Sequence, residues 1–215
     1  MKNLISIFLI IFSNVSFSQN YKFKPTNNEF SKEFLRLVDS ARTAEHRARI
    51  QDKYDMSTKK WIKIKTPFNN TIDSAASLAC AHNNRYFYNL VANQPSAPII
   101  IGHTNTLEKQ GYYYTGPDTL LSTFVDRCRY YTDSLFFAYG ECAWGGYTTH
   151  PKYRNLNSIE LARYAFTVFM ESKEGHREIL MSNMHTTLGI DFIIDPEWKR
   201  FYITVITGDI KKAKN

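Results

Sequence analysis

Apolar residues recur at helical spacing in four stretches of this chain and crowd into strand-like runs in its last third. Thr26 and Glu29 have the spacing of a capping box, in which two side chains satisfy the free amides of a helix start. Phe30, Phe34, Val38 and Ala41 then fall on one face, which predicts a helix ending near His46. Residues 47–65 are polar and irregular and read as a surface excursion or a short hairpin. After a loop marked by Pro67, a second helix is expected over about 71–91, with Ile72, Ala75, Ala76, Ala79, Phe87 and Leu90 forming its apolar stripe. The small residues in that stripe permit close packing. A third helix over about 119–130 carries Leu121, Phe124, Val125 and Cys128. The fourth opens at Asn157 with Glu160 as its capping partner, continues through Leu161, Tyr164, Ala165, Val168 and Phe169, and stops before Gly175.

The period then changes. TLGIDFII and RFYITVIT are rich in β-branched and aromatic residues and are separated by Asp195-Pro196-Glu197-Trp198, the pattern of an antiparallel hairpin. Helices first and strands late argue for an α+β layered domain, since a parallel βαβ array would alternate the two. No internal repeat or low-complexity segment is evident.

Composition supports one folded unit, with 43% hydrophobic residues. Residues 1–18 read as a signal peptide, with Lys2, an apolar run from Leu4 to Phe12, and small residues Ser16 and Ser18 before the proposed cut. The run falls short of the roughly 20 residues that a spanning helix needs, so no membrane span is expected. No cysteine lies near the cut, which argues against a lipid anchor. The expected location is periplasmic or extracellular. Residues 19–27 then form a linker, 28–208 the domain, and 209–215 a basic tail. The formal charge is +7. Lys59, Lys60, Lys63 and Lys65 flank Trp61, but no nucleic-acid motif accompanies them, so they read as a solvated strand or loop. Of the three cysteines, Cys128 and Cys142 bracket one short segment and are the expected disulfide, with Cys80 a buried free thiol.

Three polar landmarks suggest one pocket: His103 in IIIGHT, Glu141 in YGECA, and His176 after the glycine turn in ESKEGHREIL. Two neutral imidazoles and a carboxylate suit zinc or another divalent cation. The same letters also fit a buried polar cluster in which Glu141 only orients a histidine. Glu171, Ser172, Glu174, Trp144 and Tyr147 are expected to line the cleft, with residues 144–147 as a flexible aromatic loop. A serine nucleophile at Ser172 or Ser182 lacks the surroundings of a nucleophile elbow. The acidic neighbour Glu141 disfavours a thiolate at Cys142. His82 is expected to be packed or hydrogen-bonded in the second helix, and His46, His150 and His185 to be exposed.

The order VDSAR, AHNNRYF, GHT, FVDRCRYY, GEC, ESKEGHREILM, TLGIDF, YITVITG resembles the bacterial branch of the CAP superfamily, also called SCP: cysteine-rich secretory proteins, antigen 5 and pathogenesis-related proteins. The likeness runs from about Asn28 to Gly208. It implies an α-β-α sandwich with a small antiparallel sheet between helical layers, and a cleft whose histidine pair coordinates a divalent ion, often zinc. His103 and His176 match the family's two histidines and Glu141 matches the glutamate of its GEN motif. The chain departs where Ser172 occupies the position of a family glutamate and where Cys142 replaces the GEN asparagine. The first reading is a secreted, non-catalytic binding domain of the CAP type whose cleft holds a divalent ion or small ligand; the alternatives are a zinc-dependent hydrolase, peptidase or esterase, built on the same residues, and a module for a protein partner that takes up no metal. The resemblance does not choose among them, since one fold hosts several functions.

Overall fold

The structure is a computed structural model that describes residues 27–46, 49–92, 94, 96–106, 108–195 and 199–210. The expected signal peptide, the expected linker up to and including the Thr26 cap, residues 196–198 and the final lysines lie outside these residues. In chain order the elements are α1 (Asn27–His46), β1 (Arg49–Asp55), β2 (Lys60–Thr66), β3 (Thr71–Ile72), α2 (Ser74–Leu90), β4 (Glu108–Lys109), β5 (Tyr112–Tyr113), α3 (Phe124–Tyr131), β6 (Phe136–Tyr147), α4 (Ser158–Glu171), α5 (His176–Leu180), β7 (Thr187–Asp195) and β8 (Arg200–Ile210). The chain is an α+β domain.

One four-stranded sheet, ordered β3-β7-β8-β6, organises the molecule. It is antiparallel except at β3, whose two residues run parallel to β7. Almost every residue of β7 and β8 is buried, because helices cover both faces, so these strands read as continuous apolar runs in place of an alternating pattern. The alternation survives in which layer each side chain meets. Leu188, Ile190, Phe192, Phe201, Ile203 and Val205 face one layer, where Phe30 and Phe34 of α1 and Leu161 and Phe169 of α4 complete the core. Their neighbours Ile193, Tyr202 and Ile206 face α2 and α3. Two helical layers thus sandwich the sheet.

Caps explain where the helices begin. In α4, Asn157 accepts from the Glu160 amide and the Glu160 carboxylate accepts from the Asn157 amide, so the capping box anticipated from the sequence is complete. Asp73 accepts from the Ala76 amide at 2.6 Å, which starts α2 at Ser74 and frees Thr71 and Ile72 to pair with β7. Similarly, Thr123 caps α3 through the Asp126 amide, so this helix begins later than periodicity suggested, and 117–119 form a single 3-10 turn.

Helix α2 sits directly on β7 at Gly189, where a Cβ would lie 2.5 Å from the backbone carbonyl of Ala76. Gly189→Ala therefore forces the helix off the sheet. The expected loss is about 1–3 kcal/mol, read as a lowered urea midpoint with little change in slope.

The anticipated Cys128–Cys142 disulfide is not formed; all three cysteines are free and buried. Cys142 faces the α1/α4 layer, whereas Cys128 packs with Cys80 on the opposite face of the sheet. A short sequence separation does not help when a β-sheet stands between two side chains. Of the two readings offered for the polar stretch after α1, the hairpin holds: β1 pairs with β2 from Arg49 to Thr66.

Candidate functional site

Strand β6 is one edge of the sheet, opposite the two-residue β3, and the three sequence landmarks meet across it. Glu141 projects toward the α2/α3 side, because its neighbour Cys142 lies in the opposite core. The His103 segment reaches the same side. Asn83 of α2 donates to the Gly102 carbonyl at 3.1 Å, Thr104 bridges to Thr123, and the Asn105 amide donates to Ser122 at 2.8 Å. These anchors leave the His103 side chain 45% exposed. His176 arrives from the other layer. Gly175, at φ 84°, takes a left-handed conformation that suits glycine and turns the chain from α4 into α5. The His176 ring then packs on Phe169 at 5.3 Å.

His103 Nδ1 lies 3.0 Å from Glu141 Oε1, and the His103 and His176 ring centres are 6.0 Å apart at 64°. The second oxygen of Glu141 accepts from Arg127 Nη2 at 2.6 Å. Both members of this ion pair are almost wholly buried. Arg127 was missed in the sequence. The signal was present: Phe124, Arg127, Cys128 and Tyr131 share one face of α3, and a cation on a buried stripe requires an acidic partner.

Donation from Nδ1 of His103 to a carboxylate fixes the tautomer and leaves Nε2 with its lone pair free for a ligand. Burial pushes the His176 imidazole below its ordinary value, His103 adds to this whenever it carries a second proton, and Glu174 opposes it. His176 thus stays neutral at lower pH than a free imidazole. The linkage sign follows: as pH falls through the ordinary histidine range the unfolded chain takes up a proton that the folded chain declines, so His176 lowers stability toward acid.

Among the described residues, no group of three or more His, Cys, Asp or Glu side chains is arranged to hold a metal ion. The two imidazoles approach the spacing of a two-histidine donor set. With a zinc–nitrogen bond of about 2.0–2.1 Å, an imidazole centre sits about 3.2 Å from the ion, so a tetrahedral pair has its centres about 5.2 Å apart, and rings 6.0 Å apart would have to close by roughly 0.8 Å to share one ion. In this arrangement Glu141 belongs behind His103, and water or ligand atoms would supply the remaining positions.

The other nominated residues lie as follows. Ser172 ends α4, and its hydroxyl accepts from the Glu174 amide at 3.1 Å. Glu171 and Glu174 are exposed. Trp144 and Tyr147 belong to β6 and not to a flexible loop: Trp144 packs among Tyr153, Tyr164 and Phe201, and the Tyr147 hydroxyl donates to Ala97 at 2.9 Å. His82 is buried and bonded to Tyr131 and the Asp118 carbonyl. His150 is exposed, whereas His46 and His185 are half-buried, tied to the Met181 carbonyl and to Asp209. Burial also raises the Cys80, Cys128 and Cys142 thiols above their usual range, which keeps all three protonated.

The fold and the cluster define a three-layer α+β domain with a buried Arg–Glu pair orienting one of two apposed histidines at the sheet edge. Comparison with protein-family models, with curated proteins and with solved structures finds no match.

Proposed function

We propose that this chain is a secreted binding domain of the CAP type, non-catalytic, whose histidine pair holds a divalent cation, zinc foremost, or a small ligand presented to it. The observation that carries this reading is the 6.0 Å approach of the His103 and His176 rings, with Glu141 on Nδ1 of His103. The depressed proton affinity of His176 supports it, because a metal ligand must be neutral. A bound divalent ion would act as an electrophilic anchor for an anionic or carbonyl oxygen. His103 and His176 would hold it, while Glu141 and Arg127 keep the His103 ring oriented. The hydrolase alternative requires a carboxylate that water can reach, and Glu141 is almost wholly buried with one oxygen held by His103 and the other by Arg127.

Calorimetric titration of the chain with zinc tests the proposal. One equivalent is expected to bind, and binding should vanish in His103→Ala and in His176→Ala while both retain the parental circular dichroism spectrum. Glu141→Gln is expected to weaken affinity by about 10–100-fold, the range seen when a partner behind a ligand is altered. Stoichiometric zinc in both histidine variants, or none in the parent, overturns the assignment. Chelator-sensitive turnover of peptide or ester substrates, lost in His176→Ala, would favour the hydrolase.

A further inference from the structure

The β1–β2 ribbon stands apart from the domain. Its strands pair with each other over their full length, and no other element makes more than a marginal contact with either. A two-stranded ribbon of this kind ordinarily survives by covering its apolar side chains. Here they are displayed. Trp61 is 71% exposed and Met56, at the turn, 80% exposed, while Tyr54 and Ile62 are each exposed by 40%. Large apolar groups clustered on one projecting element mark an interaction surface more often than scattered ones do.

Register shows how the surface is composed. Tyr54 stands opposite Trp61 and Asp52 opposite Lys63, and strand alternation puts Lys65 on the same face. The Tyr54 and Trp61 rings meet edge to face at 5.4 Å, which fixes both in place. The turn is held firmly as well. The Asp55 carboxylate accepts from the Ser57 amide and from the Ser57 and Thr58 hydroxyls at 2.7–2.9 Å, so its charge is satisfied locally. On the face of Tyr54 and Trp61 stand Lys63 and Lys65 against Asp52, while Lys53 and Lys60 lie on the other face and Lys59 at the turn, so lysines outnumber Asp52 and Asp55 over the ribbon as a whole. One face therefore offers two amphipathic rings flanked by two long cationic side chains, next to an exposed thioether.

We propose that the β1–β2 ribbon docks on an anionic lipid surface, with Trp61, Tyr54 and Met56 seated at headgroup level and the lysines reaching lipid phosphates. Trp and Tyr favour the membrane–water boundary because each joins an apolar ring to a polar edge, and lysine stems lie along apolar surface while their ammonium groups stay hydrated. A cluster of lysines draws such a surface to negatively charged lipid. A hydrated polyanion, such as a nucleic acid or an acidic polysaccharide, would use the lysines and the rings but has no contact to offer the exposed thioether of Met56 at the turn. Asp55 lies just beside the turn, so the ribbon lies on the surface and does not plunge into it. No helix among the described residues is long and apolar enough to cross a membrane, so this contact is peripheral.

The test uses the chain from Gln19 onward, which contains every described element and omits the apolar leader. It is sedimented with vesicles of phosphatidylcholine, with or without phosphatidylglycerol, at low and high salt. Binding is expected only to the phosphatidylglycerol vesicles, weakening at high salt. It should fall about tenfold or more in Trp61→Ala and in the double variant Lys63→Gln/Lys65→Gln. Because these side chains are exposed, the melting curve should not move. Brominated lipid adds a readout that does not depend on the variants: it should quench a component of the parent's tryptophan emission that is missing in Trp61→Phe. No binding to anionic vesicles, undiminished binding by Trp61→Ala, absence of that quenching, or tighter binding to duplex DNA than to vesicles each overturns the proposal.

Discussion

Arg127→Met is expected to destabilise the domain by about 3–5 kcal/mol, because it removes the buried cation facing Glu141 and leaves that carboxylate, 1% exposed, with His103 alone as its partner. The size of the effect comes from the partner left behind and not from the attraction lost. Two buried ions repay their desolvation only while they face each other, and here Arg127 engages Glu141 through one nitrogen while its Nε and Nη1 find no protein acceptor. The double variant Arg127→Met/Glu141→Gln removes both buried charges of this pair and should recover more than half of the loss. Urea unfolding of the three proteins measures this directly. A pH series adds a second check: the deficit of the single variant should shrink in acid, where protonation discharges the abandoned carboxyl. A deficit equal at all pH values, or one the second substitution deepens, would show that Arg127 acts by filling space.

Phe192→Ala ranks beside it, with an expected loss of about 3–5 kcal/mol. Phe192 is fully buried on β7 and stacks on Phe30 of α1 with ring centres 4.8 Å apart. Its removal opens a hole between the sheet and the α1/α4 layer that rigid elements on both sides keep from closing. Ile194, two residues further along the same strand, is 36% exposed, and Ile194→Ala should lower stability by less than about 1 kcal/mol. Thermal unfolding of the pair separates the buried position from the exposed one. Similar losses in both variants would mean that β7 is less firmly clamped than this packing implies.

Much of the fold was legible because local chemistry and tertiary demand agree. Asn157 and Glu160 close the capping box of α4, and Phe30, Phe34 and Val38 recur at the spacing that the core of α1 uses. The β7–β8 hairpin was visible because two buried faces draw in β-branched and aromatic residues, and polar ones such as Asp191 and Thr204 enter with a buried partner, here Asn84. Strand β6 was not, and its glycines show why. Gly145 and Gly146 suggest a loop when read alone, yet a Cβ at Gly146 would lie 2.7 Å from the Phe201 ring and one at Gly145 3.0 Å from Ile99. They are glycines because neighbours press on a strand. The disulfide expectation failed for a related reason, since proximity along the chain carries no information about which side of a sheet a thiol faces. At the site, residues 103, 141 and 176 were nominated from the sequence, and the structure brings all three together. The role of Glu141 was open between ligand and orienter, and its two bonded oxygens favour the second.

Periodicity and capping, which act over a few residues, were enough for this sequence to declare its helices, its late hairpin and its α+β class. Everything that depends on what meets across the sheet was decided by tertiary structure: the edge position of β6, the separation of Cys128 from Cys142, the burial of Arg127 against Glu141, and the 6.0 Å approach of two histidines delivered from opposite layers. Side-chain alternation is a local property, but which neighbour waits on each face is not, because that is set by long-range pairing of segments whose own letters do not name their partners.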